Sequence, residues 1–318
     1  MKKKVLIAGI ILLLIVIFVF YPFSKPAPIH YIDRETGQIK TEKVMAGEAL
    51  FWLYNNPLGE VTLNVLVKRK FVSEAYGRLM QTHWSAKKIN PFIKNYDIDT
   101  SQFIMKDFPD FNAFFIRKLK PGARKINRDS LVVVSPGDGK IQVFPNVDSA
   151  NFIVKGVRFN VQSFLKNDSL SHVYKGGTLI LLRLAPSDYH RYHFPVSGKL
   201  LPLHKIKGYY YSVNPIAIKK DVWIFFENKR QYQIIRTKIF DDVLMSEIGA
   251  TMVGSMIETY NGNHAIKGKE KGYFQFGGSS IILLFKKGQA VVDEDLLKNT
   301  RNHFETAVEM GESIATKK

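Results

Sequence analysis

The sequence predicts an α+β fold: a helical, membrane-facing N-terminal region followed by a mainly antiparallel β core. Two observations carry this. Between positions 47 and 118 apolar residues recur at helical spacing. From Leu131 onward the chain breaks into short β-branched or aromatic runs separated by turn formers. Helices gathered at one end and strands at the other, without alternation, point to α+β rather than to a parallel α/β sheet. No internal repeat or low-complexity tract interrupts the 318 residues.

In chain order, Met1-Lys2-Lys3-Lys4 precedes an unbroken apolar run, Val5 to Phe20. The run exceeds the ~7–15 apolar residues of a secretory signal and approaches the ~17 needed to span a bilayer. Bulky Tyr21, Pro22 and Phe23 follow it, where a cleavable signal carries small residues. Residues 1–21 therefore read as a single transmembrane anchor in the cell membrane, with a cleaved signal as the alternative. Three leading lysines favour a cytoplasmic N-terminus, and Lys25 beyond the run works against that rule. Residues 22–46, rich in proline, charge and turn formers, read as a tether to one domain over 47–318.

In the helical region, Leu50, Phe51, Leu53 and Tyr54 run up to a break at Asn56-Pro57-Leu58-Gly59. Helical spacing resumes through Leu63, Leu66, Val67, Phe71, Tyr76 and Leu79. Lysines rim this stretch, so its apolar face suits either a core or a membrane surface. A short helix over Phe111–Ile116 ends before Pro121-Gly122. Strands are expected at Leu131–Val134, Lys140–Phe144, Phe152–Val154, Thr178–Leu184, Lys199–Ile206, Val222–Glu227, Gln231–Phe240, Ala250–Glu258, Tyr273–Phe276 and Ser280–Phe285. A last helix is expected from Asp293 to Gly311.

Composition narrows the chemistry. The absence of cysteine excludes disulfides, thiolate zinc sites and a cysteine nucleophile. A formal charge of +18, from 46 basic and 28 acidic residues, favours polyanionic partners. With an anchor, and with no nucleic-acid motif, the expected partner is an anionic membrane surface rather than nucleic acid.

Three segments hold residues that could do chemistry. The first is Arg183-Leu184-Ala185-Pro186-Ser187-Asp188-Tyr189-His190-Arg191-Tyr192-His193. His190 and His193 on a loop leaving a strand suit acid–base work near neutral pH, a purely structural role, or, less well between prolines, a metal. The second is Asp138 in Pro136-Gly137-Asp138-Gly139, where a carboxylate commonly caps a turn. The third is Gly277-Gly278-Ser279-Ser280, which reads as a bulge or as the setting of an internal acyl shift. In such a shift the Ser279 hydroxyl attacks the carbonyl of Gly278, through a distorted backbone that glycine tolerates. An imidazole oriented by a carboxylate can take the hydroxyl proton.

Taken in order, these segments resemble the phosphatidylserine decarboxylase family. The resemblance runs from about residue 47 and includes Phe114-Phe115-Ile116-Arg117-Lys118-Leu119-Lys120-Pro121-Gly122-Ala123-Arg124 and Val134-Ser135-Pro136-Gly137-Asp138-Gly139. It continues through Leu184 to His193, Ser212-Val213-Asn214-Pro215, Glu227-Asn228-Lys229-Arg230, Gly249 to Ser255 and Phe276-Gly277-Gly278-Ser279-Ser280. It implies that Asp138, His193 and Ser279 form a self-cleavage triad and that His190 serves decarboxylation. Cleavage would leave a β chain ending at Gly278 and an α chain, 279–318, headed by a covalent pyruvoyl group made from Ser279. That group would decarboxylate phosphatidylserine to phosphatidylethanolamine through a Schiff base, with no metal and no pyridoxal phosphate. A homodimer is also implied. Two departures stand out: Ser280 replaces a common threonine, and Gly137 a common alanine. The rival readings are a pyruvoyl decarboxylase acting on another serine-headed lipid or a soluble amino acid, and a serine hydrolase using Ser279, His193 and Asp138.

Overall fold

A computed structural model describes residues 9–10, 25–149, 159–221, 223–251 and 255–317. Apart from Gly9 and Ile10, which are helical, the expected anchor lies outside the described residues, as does the strand expected at Phe152–Val154. Among the described residues no helix is long and apolar enough to cross a membrane.

The helical region comes first: α1 (Gly47–Asn55), α2 (Pro57–Thr62), a π turn over Leu63–Val67, α3 (Lys70–Leu79), a 3-10 turn over His83–Lys88, α4 (Ile89–Asn95) and α5 (Phe111–Phe115). The break between α1 and α2 falls where Asn56-Pro57 predicts it. The Asn56 side chain accepts N–H groups of Leu58 and Gly59, and Pro57 takes the first helical position.

The core is an eleven-stranded sheet of mainly antiparallel strands. Its centre runs β9 (Arg230–Arg236), β10 (Asp242–Gly249), β14 (Ser279–Phe285), β5 (Thr178–Leu184) and β4 (Gly139–Phe144). These strands are buried on both faces, which is why they read as apolar runs rather than as alternating patterns. One face carries Leu179, Leu181, Leu244, Ile248, Ile282 and Leu284 and packs on α1 and on the short helices α6 (Val161–Leu165), α7 (Asp168–Val173), α8 (Pro215–Lys220) and α9 (Ile224–Glu227). The other carries Ile180, Leu182, Val243, Met245, Ile281 and Leu283. It is covered by β6 (Arg191–His193) and β13 (Glu270–Phe274) of one three-stranded sheet, and by β3 (Val132–Val134) and β17 (Ser313–Thr316) of another. A third cluster, of Met80, Phe92, Phe111, Phe114, Phe115 and Phe276, seats the helical region on the loop before β14.

Several expectations are corrected. The stretch read as a tether contributes β1 (His30–Asp33) and β2 (Ile39–Thr41) to the main sheet. There β1 runs parallel to β16 (Glu305–Val308), and Glu42 is drawn onto buried Arg183. The strand expected over Val222–Glu227 is replaced by α9, whose Ile224, Phe225 and Phe226 are buried in the core on one sheet face with Phe159 and Phe164. The run Lys199–Ile206 is split into β7 (Gly198–Leu200) and β8 (His204–Ile206) around Pro202, which has no N–H to give a ladder. In place of one strand over Ala250–Glu258, the described residues show β10 ending at Gly249 and β11 over Met256–Glu258. The last helix stops at Arg301, His303 turns the chain at φ 63°, and two strands follow.

Candidate active site

Ser279 is the first residue of β14, opposite Leu184 on one side and Gly249 on the other. It is fully buried, and its Oγ has no hydrogen-bond partner among the described residues. Ser280 is likewise buried and unpartnered, in register with Arg183. Strand alternation sends their hydroxyls to opposite faces. Of the two preceding glycines, it is Gly277 that adopts a conformation only glycine takes readily, with φ 136°. A Cβ on Gly278 would meet only Val213 and the Leu184 carbonyl, at 3.7 and 4.0 Å. The backbone distortion thus sits one residue before the expected position. Phe276 holds the segment in place: its N–H donates to Asn112 Oδ1 at 3.0 Å, and its ring packs on Phe111 and Phe115.

His190 is buried against the Phe115 ring, centroids 4.0 Å apart. Its Nδ1 lies 3.0 Å from the Asp188 carbonyl, and its Nε2 has no hydrogen-bond partner among the described residues. Burial, reinforced by the Arg117 and Lys140 charges, pushes its pKa down to about 3 against the opposing pull of the Asp188 and Gly277 carbonyls. The ring is therefore neutral at physiological pH, and Gly277 is near enough to influence it.

His193 lies in β6, its Nε2 3.3 Å from the Tyr189 hydroxyl and its Nδ1 3.2 Å from the Gly268 carbonyl. Burial lowers its pKa as well; the Gly268 carbonyl and the charges of Glu270 and Asp138 oppose the shift. Its backbone N–H donates to the Pro136 carbonyl at 2.7 Å, so the Asp138 turn abuts β6. Asp138 occupies the expected turn between β3 and β4. Its carboxylate takes Arg124 Nη2 at 2.6 Å, Arg124 Nε at 3.2 Å and the Met310 N–H at 2.8 Å. Neighbouring Gly139 is required by close approach, since a Cβ there would sit 2.5 Å from the Arg183 carbonyl.

The fold thus gathers the Asp138 turn, both histidines and the Gly277–Ser279 segment around the ends of β5 and β14. No hydrogen bond links Asp138 to His193, or either of them to Ser279. Asp188, the acid nearest the histidines in sequence, serves neither ring through its carboxylate. It pairs with buried Lys140 at 2.7 Å and caps Ala185 N–H at 2.8 Å. The structure adds residues to which the motifs alone assigned no role: Arg124 on Asp138, Tyr189 on His193, and Arg117, whose buried guanidinium donates to the Ser187 carbonyl at 3.0 Å. These pairings span up to 70 positions and have no local sequence signal.

A cavity of about 230 Å³ reaches the segment from the helical side. Leu50, Leu53 and Val67 line one wall, and Ala185, Gly277 and Gly278 the other. Among the described residues no cluster of three or more His, Asp or Glu could hold a metal ion.

Comparison with known proteins fits this arrangement. The family model for phosphatidylserine decarboxylase matches residues 111–316, from α5 to β17. A phosphatidylserine decarboxylase proenzyme of Fusobacterium nucleatum subsp. nucleatum is 49% identical over 294 residues, covering 91% of this chain and 98% of that protein. Proenzymes of the same name from Clostridium novyi and Clostridium botulinum strain Alaska E43 are 47% and 43% identical, over 91% and 90% of this chain and 99% and 98% of theirs. With its helical front, its antiparallel core and its buried Gly-Gly-Ser at a strand start, this chain belongs to the phosphatidylserine decarboxylase family.

Proposed function

We propose that the chain is a proenzyme that splits itself between Gly278 and Ser279 and then decarboxylates phosphatidylserine to phosphatidylethanolamine. The observation that carries this reading is the buried, unpartnered Ser279 hydroxyl next to a glycine pair, in a chain 49% identical to a proenzyme of that name.

In maturation the Ser279 Oγ attacks the Gly278 carbonyl carbon, and the C–N bond breaks to give an ester. Loss of the Ser279 α-proton then expels the Gly278 carboxylate; water enters, ammonia leaves, and a pyruvoyl group heads the 279–318 chain. His193 is the base for the hydroxyl. Asp138 supports it by charge, raising its affinity for a proton against the cost of burial. The residues present suit such a group: Ser279 is shielded from water, its hydroxyl has no partner among the described residues, and Gly277 two positions before it takes a positive φ. The pyruvoyl carbonyl supplies an electron sink for the charge left when carbon dioxide departs. His190, with an unpartnered Nε2 on the Gly277 side, moves the proton in decarboxylation. Cleavage at the first residue of β14 leaves its ladders to β5 and β10 almost whole, which keeps the two chains together.

Access from a bilayer fits the helical front. Leu58, Val61, Val65, Leu66, Phe71 and Trp84 are exposed beside Lys68, Arg69, Lys70, Lys87 and Lys88. Apolar side chains with a basic rim suit an anionic membrane surface, and the cavity under α1 leads from that side to Gly278. An anchor over residues 1–21 completes this reading. The hydrolase alternative is disfavoured because Ser279 opens a strand, whereas hydrolase nucleophiles sit at a strand-to-helix elbow.

Denaturing mass spectrometry tests the proposal. Two fragments divided after Gly278 are expected, the smaller headed by a pyruvoyl group, together with conversion of phosphatidylserine by the purified protein. A single intact chain in active material overturns it.

A further inference from the structure

Arg117 follows helix α5 and is only 2% exposed. Its guanidinium packs on the Phe103 ring at 4.3 Å and forms no ion pair among the described residues. The two carboxylates that influence it most, Asp188 and Asp138, are held by Lys140 and Arg124. Its Nη2 donates to the Ser187 carbonyl at 3.0 Å and reaches the Asp188 carbonyl at 3.5 Å; Nε and Nη1 have no protein partner. Burying an unneutralised cation is costly, so a role that uses the charge is expected where the structure tolerates one.

That role is indicated by the Asp188 carbonyl, which also lies 3.0 Å from His190 Nδ1. A carbonyl only accepts, so Nδ1, the ring nitrogen that makes the hydrogen bond, carries the proton; the Gly277 carbonyl on the other side pulls on the ring without forming a hydrogen bond to Nε2, which keeps its lone pair. The charges facing the ring are Arg117 from the loop after α5 and Lys140 from β4, both cations. The acid of its own loop, Asp188, is tied to Lys140, and Arg191 beside it in β6 is tied to Glu270. A second ring proton would therefore meet a buried, unneutralised positive charge.

We propose that Arg117 is a positioning residue for His190, fixing the Asp188 carbonyl and holding the imidazole neutral, protonated on Nδ1, with Nε2 free to accept a proton beside Gly277. This rests on the proposed function for the reaction it serves, though not for its measurement. It follows that His190 gives up a proton in decarboxylation only after it has first taken one, acting as a carrier rather than as a resting acid.

The test is ¹⁵N NMR of the full chain labelled at histidine, with the His190 signals assigned by their loss in His190→Gln. The expected wild-type ring is neutral and Nδ1-protonated from pH 8 to 5. Arg117→Gln should bind a proton about tenfold or more tightly, and Arg117→Lys, which keeps the charge, should resemble wild type. In matured protein the acid limb of the decarboxylation pH profile should move upward for Arg117→Gln and stay in place for Arg117→Lys. A wild-type ring that is charged at pH 6 or protonated on Nε2 overturns the proposal. So does an Arg117→Gln ring that titrates like wild type. If the substitutions block processing, the same spectra taken in a Ser279→Ala background decide the matter. Failure of wild type to split or to decarboxylate would instead count against the proposed function and leave the ring measurement standing.

Discussion

The two sides of the site differ in how their polar atoms are matched. Around Asp138 the match is complete: Arg124 and the Met310 N–H saturate the carboxylate, and Ser135 Oγ donates to the Gly137 carbonyl. Around Ser279 it is not. Of seven buried side-chain polar atoms without a partner among the described residues, four belong to Arg117, His190 and Ser279, and a fifth, Ser280 Oγ, lies on the other face of the same strand. Buried polar groups are ordinarily paired, because an unmade hydrogen bond costs roughly 1–3 kcal/mol. A saturated side is a scaffold; an unsaturated one keeps its groups available for new bonds. The chemistry is expected on the second side and its alignment on the first.

Substitutions sharpen or break that contrast, and the largest effect is expected at Ser279. Ser279→Ala removes the attacking oxygen and should abolish the split altogether on denaturing gels. His193→Ala and Asp138→Ala should each leave the chain uncleaved, whereas His190→Ala should mature and turn over slowly. An uncleaved His190→Ala beside a matured His193→Ala would reverse the two roles. Arg124→Ala leaves Asp138 without its cation and should lower unfolding stability by about 2 kcal/mol in denaturant titrations, a discount on the usual 3–5 for a carboxylate that keeps some solvent access.

A pH effect comes next. The folded state holds His190 unprotonated down to about pH 3, while the unfolded ring takes a proton near 6.5. Between those values the unfolded state binds more protons, so stability is present above pH 6.5 and falls as the solution is acidified. His190→Gln should flatten that acid-side loss when midpoints are compared at pH 7 and 5. The smallest effect is expected at Ser280. Ser280→Ala removes an unsatisfied buried hydroxyl and should be neutral or raise stability by up to about 1 kcal/mol, read as a small increase in Tm. A loss of several kcal/mol there would show that Ser280 does have a partner in solution and would weaken the contrast.

The central strands were legible because their residues are apolar on both faces and are bounded by turns. The segments that misled did so for local reasons with remote causes. Ile224, Phe225 and Phe226 suit a strand, yet they form a short helix that packs on one sheet face with residues far away in sequence. Residues 30–41 look like a linker because their partners lie near position 305, far beyond the reach of any pattern. The candidate residues were named from their motifs, while the hydrogen bonds of Asp138 and His193 were not foreseen. Arg124 and Tyr189 stand in those same motifs without any sign that they would take those bonds.

What the chain determines by itself is the kind of chemistry open to it. It has no thiol, a large positive charge, and a serine behind two glycines, followed by an apolar run that reads as a buried strand. What the tertiary structure decided is which atoms are occupied. Whether a carboxylate is spent on an arginine, or an imidazole is held neutral by a cation, depends on contacts a few ångströms long between residues many positions apart. Such contacts exist only once the sheet has closed and water has been excluded.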